Sequence, residues 1–191
     1  SVAVTAVPGS LTLKGDQGDH SVVLVAQGNS LLISGSSGTQ ITYQGATVNT
    51  LQIPLASLGA NIALLVTAGG GADTFDLLGP GLPAWSSCNF NLGAGQNIVL
   101  AKSVTVSGSV NMVSANEGSL LDFEDSTLGS LTDLTGTGPD ALFLRNCKVA
   151  GNVLDNADLG GGAGQDFVLF AGTQVGGATT VLTGAGNDRV A

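Results

Sequence analysis

One short unit recurs along the chain: a glycine-rich turn that ends in an acidic or polar residue and runs into alternating apolar residues. Clear copies lie at residues 69–77, 136–144, 163–170 and 184–190. With weaker copies included, the residues at the acidic position are His20, Thr39, Asp73, Asn97, Ser119, Asp140, Asp166 and Asp188. They are 19 to 34 residues apart, most often 21 to 26. One turn per period of this length indicates a solenoid, in which each copy belongs to one coil.

The apolar residues after each turn keep a fixed alternation. Two residues after the acidic position stand Val22, Ile41, Phe75, Val99, Leu121, Leu142, Val168 and Val190. Four residues after it stand Leu24, Tyr43, Leu77, Ala101, Phe123, Leu144 and Phe170. Successive side chains of a strand point to opposite faces. This stripe therefore predicts a strand after each turn with its apolar face directed inward.

Two further strands complete each predicted coil. One precedes the turn, as at 11–13 and 31–33, and a third ends in a corner of small residues, as at 147–151 and 173–177. Small residues let the backbone bend where a larger side chain would clash. We therefore expect an all-β parallel β-solenoid (β-helix) of about eight coils, each with three short strands, in a single domain 1–191. Parallel crossovers are almost always right-handed, so we expect a right-handed solenoid.

Two stretches depart from this rhythm and are predicted to loop out of the coils. Residues 47–60 fall in the longest step between turns. Residues 79–85 are rich in proline and glycine and end in Trp85, the single tryptophan. Insertions in solenoids often carry recognition, and a surface glycan is the ligand expected if Trp85 is exposed. The alternative is a surface loop whose tryptophan covers the local core.

Large apolar residues also fall on the outward phase of the strands after the turns. They are Ile98, Leu100, Phe143, Phe167 and Leu169. A contiguous exposed apolar patch marks an interface. Alternatively, the 47–60 insertion or another loop folds over these residues.

The charge balance excludes one class of partner. The formal net charge is −9, and the five basic residues, Lys14, Lys102, Arg145, Lys148 and Arg189, are scattered. Nucleic-acid binding needs clustered Lys and Arg and is therefore not expected. No apolar run reaches the roughly 18 residues of a membrane span. The chain begins at Ser1 rather than Met, as expected for a secreted or cell-surface protein after signal-peptide removal, or for a sequence that begins inside a longer chain.

Cys88 and Cys147 allow one disulfide. In the coil alignment they lie about two coils apart, roughly 10 Å at 4.8 Å per coil. That exceeds the ~7 Å Cα separation that a disulfide can bridge. We expect two free buried thiols. The alternatives are a bridge formed through a local distortion and a bridge between subunits.

The strongest turns resemble the nonapeptide of RTX proteins, secreted parallel β-rolls whose Gly-Gly-x-Gly-x-Asp turns bind calcium. Residues 161–168 and 68–75 carry this pattern, although this chain has one such turn per coil rather than one per half-coil. The resemblance implies calcium at the Asp turns, with Asp140, Asp166 and Asp188 as candidate ligands on three consecutive coils. The residue chemistry alone offers an alternative, because Asp also accepts backbone N–H groups within turns. The sequence as a whole is similar to the Gly-Asp-rich surface solenoids of planctomycetes.

Catalysis is not expected. The densest acidic cluster is Asp122, Glu124 and Asp125, around the inward-facing Phe123. Paired carboxylates about 5–10 Å apart can perform glycosidase chemistry, but adjacent acids are also common on a solvent-facing strand. His20 is the single histidine and lies at a turn position. No Ser-His-Asp or Cys-His arrangement is recognisable.

The two ends of the sequence match each other. The N-terminus is an apolar alternating strand, and the C-terminus stops directly after a turn. Solenoid ends without caps expose strand edges, and the step from Asp188 to the next copy's His20 would be 23 residues, within the observed range. The predicted contact residues are Ser1, Val2, Val4, Val7, Asp188, Arg189, Val190 and Ala191.

This match predicts a head-to-tail homopolymer formed by strand addition, because such a contact does not close. The protein would then be a structural subunit of an extracellular or cell-surface filament. The alternatives are a segment of a longer adhesin or surface-layer solenoid, and a carbohydrate-binding β-helix.

Overall fold

The computed structural model describes residues 1–115, 117–157 and 164–191. Strands make up 60% of it and helix 2%. The elements are β1 (Val2–Val7), β2 (Ser10–Gly15), β3 (His20–Gln27), β4 (Ser30–Ser36), β5 (Ile41–Tyr43), β6 (Ala46–Val48), β7 (Thr50–Pro54), α1 (Leu55–Leu58), β8 (Ile62–Thr67), β9 (Asp73–Leu78), β10 (Trp85–Asn91), β11 (Asn97–Lys102), β12 (Thr105–Val113), β13 (Ser119–Glu124), β14 (Thr127–Leu134), β15 (Ala141–Arg145), β16 (Lys148–Val149), β17 (Val153–Asn156), β18 (Phe167–Ala171), β19 (Gln174–Val175), β20 (Thr179–Leu182) and β21 (Arg189–Val190).

From β8 onward the chain alternates between two sheets. Sheet A contains β8, β10, β12, β14, β16 with β17, and β19 with β20; sheet B contains β9, β11, β13, β15, β18 and β21. Neighbouring coils pair in parallel. β2 and β3 join the same stack beside β8 and β9. The fold is a parallel β-solenoid of about five turns, which confirms the predicted fold class.

Inward side chains form columns that run along the solenoid. The column two residues after the turn position contains Val22, Phe75, Val99, Leu121, Leu142 and Val168, each at most 1% exposed. Fully burying a side chain of this size contributes about 1.5–3 kcal/mol. The alternation of apolar residues after each turn is therefore what fixes these strands against the core.

The strands of sheet A bend at a corner of small residues. Residues 150–152 separate β16 from β17, and residues 176–178 separate β19 from β20. A Cβ on Gly151 would lie 2.9 Å from the carbonyl oxygen of Gly129 in the coil below. A side chain therefore does not fit at this corner. Two segments in sheet A and one in sheet B give these coils the three short strands predicted from the sequence.

Antiparallel hairpins, rather than coils, occupy much of the N-terminal part, and this corrects the predicted number of eight coils. β1 pairs antiparallel with β2, β3 with β4, β4 with β7, and β5 with β6. Short turns with positive-φ residues at Gly9, Gly28 and Gln44–Gly45 reverse the chain. The Thr39 copy of the turn unit therefore belongs to a hairpin layer and not to a parallel coil.

Residues 47–60 lie in this layer and are not the looped-out insertion predicted for them. They supply most of β6, all of β7 and α1. Ile53 is 3% exposed and Leu58 is fully buried, so both extend the core. We call β1, β4–β7 and α1 the N-terminal cap, because they cover the end of the core beyond β2 and β3.

Cys88 and Cys147 are buried free thiols, as expected. The Cys147 Sγ lies 3.3 Å from the carbonyl oxygen of Phe123. Burial raises the pKa of both thiols. No disulfide joins these two cysteines, as their separation in the coil alignment predicted.

Candidate assembly interface

The C-terminal layer consists of β19, β20 and β21. Among the described residues, each of these strands pairs with a neighbour on one side only: β16, β17 and β18 respectively. Val190 occupies the inward column that is at most 1% exposed from Val22 to Val168, yet it is 57% exposed itself. This layer therefore presents the apolar interior of the solenoid to solvent.

The edge of β20 also presents backbone hydrogen-bonding groups. Val153 donates its N–H to the carbonyl of Ala178, and Ala157 donates to Leu182, both at 2.9 Å. In a parallel ladder, alternate residues bond to opposite neighbours. The N–H and C=O groups of Thr179 and Val181 are therefore directed away from β17, toward the open side. The predicted interface omitted these two residues because their phase follows only from the register with β17.

The turn positions form a second hydrogen-bond ladder along the solenoid. Asp73 Oδ1 accepts the His20 N–H at 3.0 Å, and Asn97 Oδ1 accepts the Asp73 N–H at 3.2 Å. Asp166 Oδ1 accepts the Asp140 N–H at 2.9 Å, and Asp188 Oδ1 accepts the Asp166 N–H at 3.1 Å. Each of these side chains serves the equivalent residue one layer toward the N-terminus. The Asp188 N–H is the next donor of this ladder, at the open end.

Two of the three candidate calcium ligands, Asp166 and Asp188, thus have a structural role as acceptors, and the third, Asp140, takes part in the ladder through its backbone N–H. Within residues 1–115, 117–157 and 164–191, no three His, Cys, Asp or Glu side chains form a group that could hold a metal ion. Residues 161–163 of the RTX-like turn at 161–168 lie outside the described residues. Calcium binding at the turns stays a prediction.

At the opposite end, the N-terminal contact residues are not on an open edge. β1 lies between β2 and β5, with Val2 fully buried and Val4 5% exposed. The Pro8–Gly9 turn folds this strand into an internal hairpin, so Val2 and Val4 do not lie on the open edge expected from the sequence. Contact through Ser1 and Val7, which are exposed, stays a prediction. The outermost strands are instead β6, of three residues, and β7, which ends in Pro54.

The acidic strand is paired with basic residues from neighbouring coils. Arg145 donates from Nε to Asp122 Oδ1 at 3.2 Å, and Lys102 donates to Glu124 Oε1 at 2.7 Å. The hydrogen bond from Lys102 lowers the pKa of Glu124. Asp125 turns away at a positive φ and accepts from Asn146. These contacts give the carboxylates a cross-strand stabilising role, and the prediction that the protein is not an enzyme stays a prediction.

Trp85 and His20 are both enclosed. Trp85 begins β10 with no exposed surface, so a glycan could not stack on it. His20 lies between two carboxylates, with Nδ1 2.6 Å from Asp73 Oδ1 and Nε2 3.0 Å from Asp16 Oδ1. Burial raises the pKa of Asp73, and the hydrogen bond from His20 partly offsets this. His20 therefore joins the start of the solenoid to the next coil as a hydrogen-bonding turn residue.

The outward apolar patch is present and half-buried on sheet B. Phe143 and Phe167 make an edge-to-face contact at 5.4 Å, and the Arg189 guanidinium lies 5.6 Å from the Phe167 ring. Beside Phe143 is a shallow depression of about 270 Å³ that Ile98 also lines. Residues 47–60 are in the N-terminal cap and therefore do not cover this patch, as one alternative had proposed.

No family model, no curated protein and no solved structure matches this chain. Among the described residues there is also no helix long and apolar enough to cross a membrane.

Proposed function

We propose that this protein is a structural β-solenoid that self-associates through its C-terminal layer, as a component of an extracellular or cell-surface assembly. The observation that carries the proposal is the exposure of Val190 in a column that is otherwise closed to solvent. Covering this layer would bury Phe170, Val175 and Val181, which are only partly buried. It would also pair the outward backbone groups of β20, which are costly to leave open.

The C-terminal layer fits another C-terminal layer better than it fits the N-terminal cap. A head-to-tail filament would have to add strands to β6 and β7, and short strands and proline both make poor edges. Two C-terminal layers facing each other present strands of equal length with matching apolar residues. Such a contact uses the same patch on both copies and closes as a two-fold dimer. We therefore propose strand pairing between two C-terminal layers.

The location is proposed from the turns. Residues 161–168 and 68–75 resemble the RTX nonapeptide, and the whole sequence is similar to the planctomycete surface solenoids. These two sequence resemblances support the proposal of a secreted or surface-attached protein with an adhesive or structural role. The open layer equally suits a segment of a longer surface solenoid, in which a further coil would cover it.

Lysine substitutions at the open layer test this function. Thr179 and Val190 occupy exposed inward positions, so Thr179→Lys with Val190→Lys should leave the fold intact. In a dimer the four new charges would face each other without solvent, and we expect dimerisation to weaken at least about 100-fold. Light scattering coupled to size-exclusion chromatography measures this over a concentration series.

Leu65→Lys with Val113→Lys is the matched control, because these side chains are 40% and 44% exposed and lie away from the C-terminal layer. The control should dimerise like the parent. Thr47→Lys, at an exposed position of the outermost strand β6, separates the two arrangements, since it disrupts only a contact made at the N-terminal end. Equal dimerisation of the parent and the Thr179/Val190 variant would contradict the proposal.

A further inference from the structure

Two carboxyl groups interrupt one of the apolar columns of sheet A. Leu13, Val66, Phe90 and Met112 occupy an inward position in successive layers. In the next two layers the same position holds Asp133 and Asp155, which lie side by side in the parallel register. They are 3% and 1% exposed. The interior thus changes from apolar to acidic in the two layers before the C-terminal layer, where Val181 makes the column apolar again.

These carboxyls are joined by a third acid and have unused hydrogen-bonding atoms. Asp140, before β15, is 4% exposed. Asp133 Oδ1 and Asp155 Oδ2 are buried without a hydrogen-bond partner among the described residues. An ionised carboxylate in such a place is strongly disfavoured. A protonated carboxyl can instead donate to a neighbouring oxygen.

The groups that face this cluster carry no positive charge among the described residues. β12 contributes Met112, β20 contributes Val181, and the turn before β18 contributes Asp166. Burial raises the pKa of Asp155 to about 7, and repulsion from Asp140 and Asp166 adds to the effect. Burial also raises the pKa of Asp140 to about 7, although hydrogen bonds from Thr135 and Ser119 oppose the rise. Burial, with repulsion from Asp155 and Asp140, raises the pKa of Asp133 well above its ordinary value.

We propose that protons held by Asp133 and Asp155 stabilise the C-terminal layers, so that these layers loosen as the pH rises toward alkaline values. The folded chain binds more protons than the unfolded chain from about pH 4 to about pH 7, because the carboxyls of the unfolded chain titrate near their ordinary value of 3.8. Stability from these groups is therefore greatest in acid and declines over that interval. The inference concerns one chain and does not rest on the proposed self-association.

Hydrogen exchange followed by mass spectrometry of the full chain tests this at about pH 5.5 and about pH 8, with a chelator present and intrinsic rates corrected. For each unit by which folding raises the pKa of a carboxyl, deprotonation of that carboxyl lowers the ratio of closed to open states about tenfold. We expect amides of β17, β18 and β20 to lose at least about tenfold in protection at the higher pH. Amides of β3 and β4 in the same sample serve as the internal reference and should change much less.

Asp133→Asn with Asp155→Asn removes two of the titrating groups and should largely abolish the difference between the two pH values. Asp155→Leu restores the apolar column and should protect β17 more than the parent at about pH 8. Asp125→Asn, at an exposed acid, is the control and should keep the parental profile. Protection that is unchanged or higher at about pH 8 would overturn the proposal. So would calcium restoring alkaline protection in chelator-free buffer, because the carboxyls would then hold a cation rather than protons.

Discussion

At the scale of single residues, the turn position selects for hydrogen-bond acceptors rather than for charge. Asp73, Asn97, Asp166 and Asp188 all accept the backbone N–H of the preceding layer. Asn97 makes further hydrogen bonds, because its side-chain amide also donates to the carbonyl of Gly95 and to the hydroxyl of Ser114. A neutral amide therefore satisfies the same geometry as a carboxylate. This explains why both acidic and neutral polar residues occur at one position of the repeat.

Asn97→Ala should lower the free energy of unfolding by about 2–3 kcal/mol, since it leaves the buried Asp73 N–H without an acceptor and removes the two donated bonds. Urea unfolding followed by the fluorescence of Trp85 measures this change. Gln96→Ala, at the exposed neighbouring position, should change stability by less than about 0.5 kcal/mol. Similar losses from both variants would show that the ladder does not carry the predicted energy.

At the scale of the elements, glycines allow the turns of successive coils to approach each other. Gly95 has a φ of +112°, and a Cβ placed on it would overlap the carbonyl oxygen of Gly71 in the neighbouring coil. Gly45, in the β5–β6 turn, has a φ of +83° and open space around it. Glycine therefore allows close stacking of the coils at Gly95, whereas at Gly45 in the N-terminal cap it only allows the chain to reverse direction.

This difference predicts unequal costs for the same substitution. Gly45→Ala should cost about 1–2 kcal/mol, because it carries only the penalty of a positive φ. Gly95→Ala carries that penalty and a steric overlap with backbone, and should cost several kcal/mol more. Thermal unfolding of the two variants gives the comparison. Equal losses of stability in the two variants would mean that neighbouring coils can move apart at the turns without a cost in free energy.

The parallel coils could be predicted from sequence because their period and inward stripe are regular from Asp73 to Asp188. The N-terminal cap could not, because hairpins and coils both produce strands of alternating residues separated by glycine. The two-residue glycine turns at Gly28 and Gly45 were the available signal for antiparallel pairing. The acidic cluster was also missed, since the inward phase of Asp133 and Asp155 follows only from their register with Met112.

At the scale of the whole molecule, the two ends of the solenoid differ. The N-terminal cap covers one end with short antiparallel strands, whereas the C-terminal layer exposes core positions and a free strand edge. The sequence-based expectation treated both ends as open and predicted a head-to-tail filament. One covered end would limit growth, and we therefore propose an assembly that closes. The proposed effect of the buried acids is separate from assembly, because it concerns the stability of the C-terminal layers within one chain.

Sedimentation velocity of the unmodified chain, over a wide concentration range at about pH 6 with a chelator, tests the central claim most directly. We expect a concentration-dependent conversion of the 18.7 kDa chain into a species of twice that mass and no larger. The chelator should have no effect, because strand pairing requires no metal. A single monomeric species at every concentration would contradict self-association through the C-terminal layer. Growth beyond the dimer would contradict the closed arrangement and restore the head-to-tail filament.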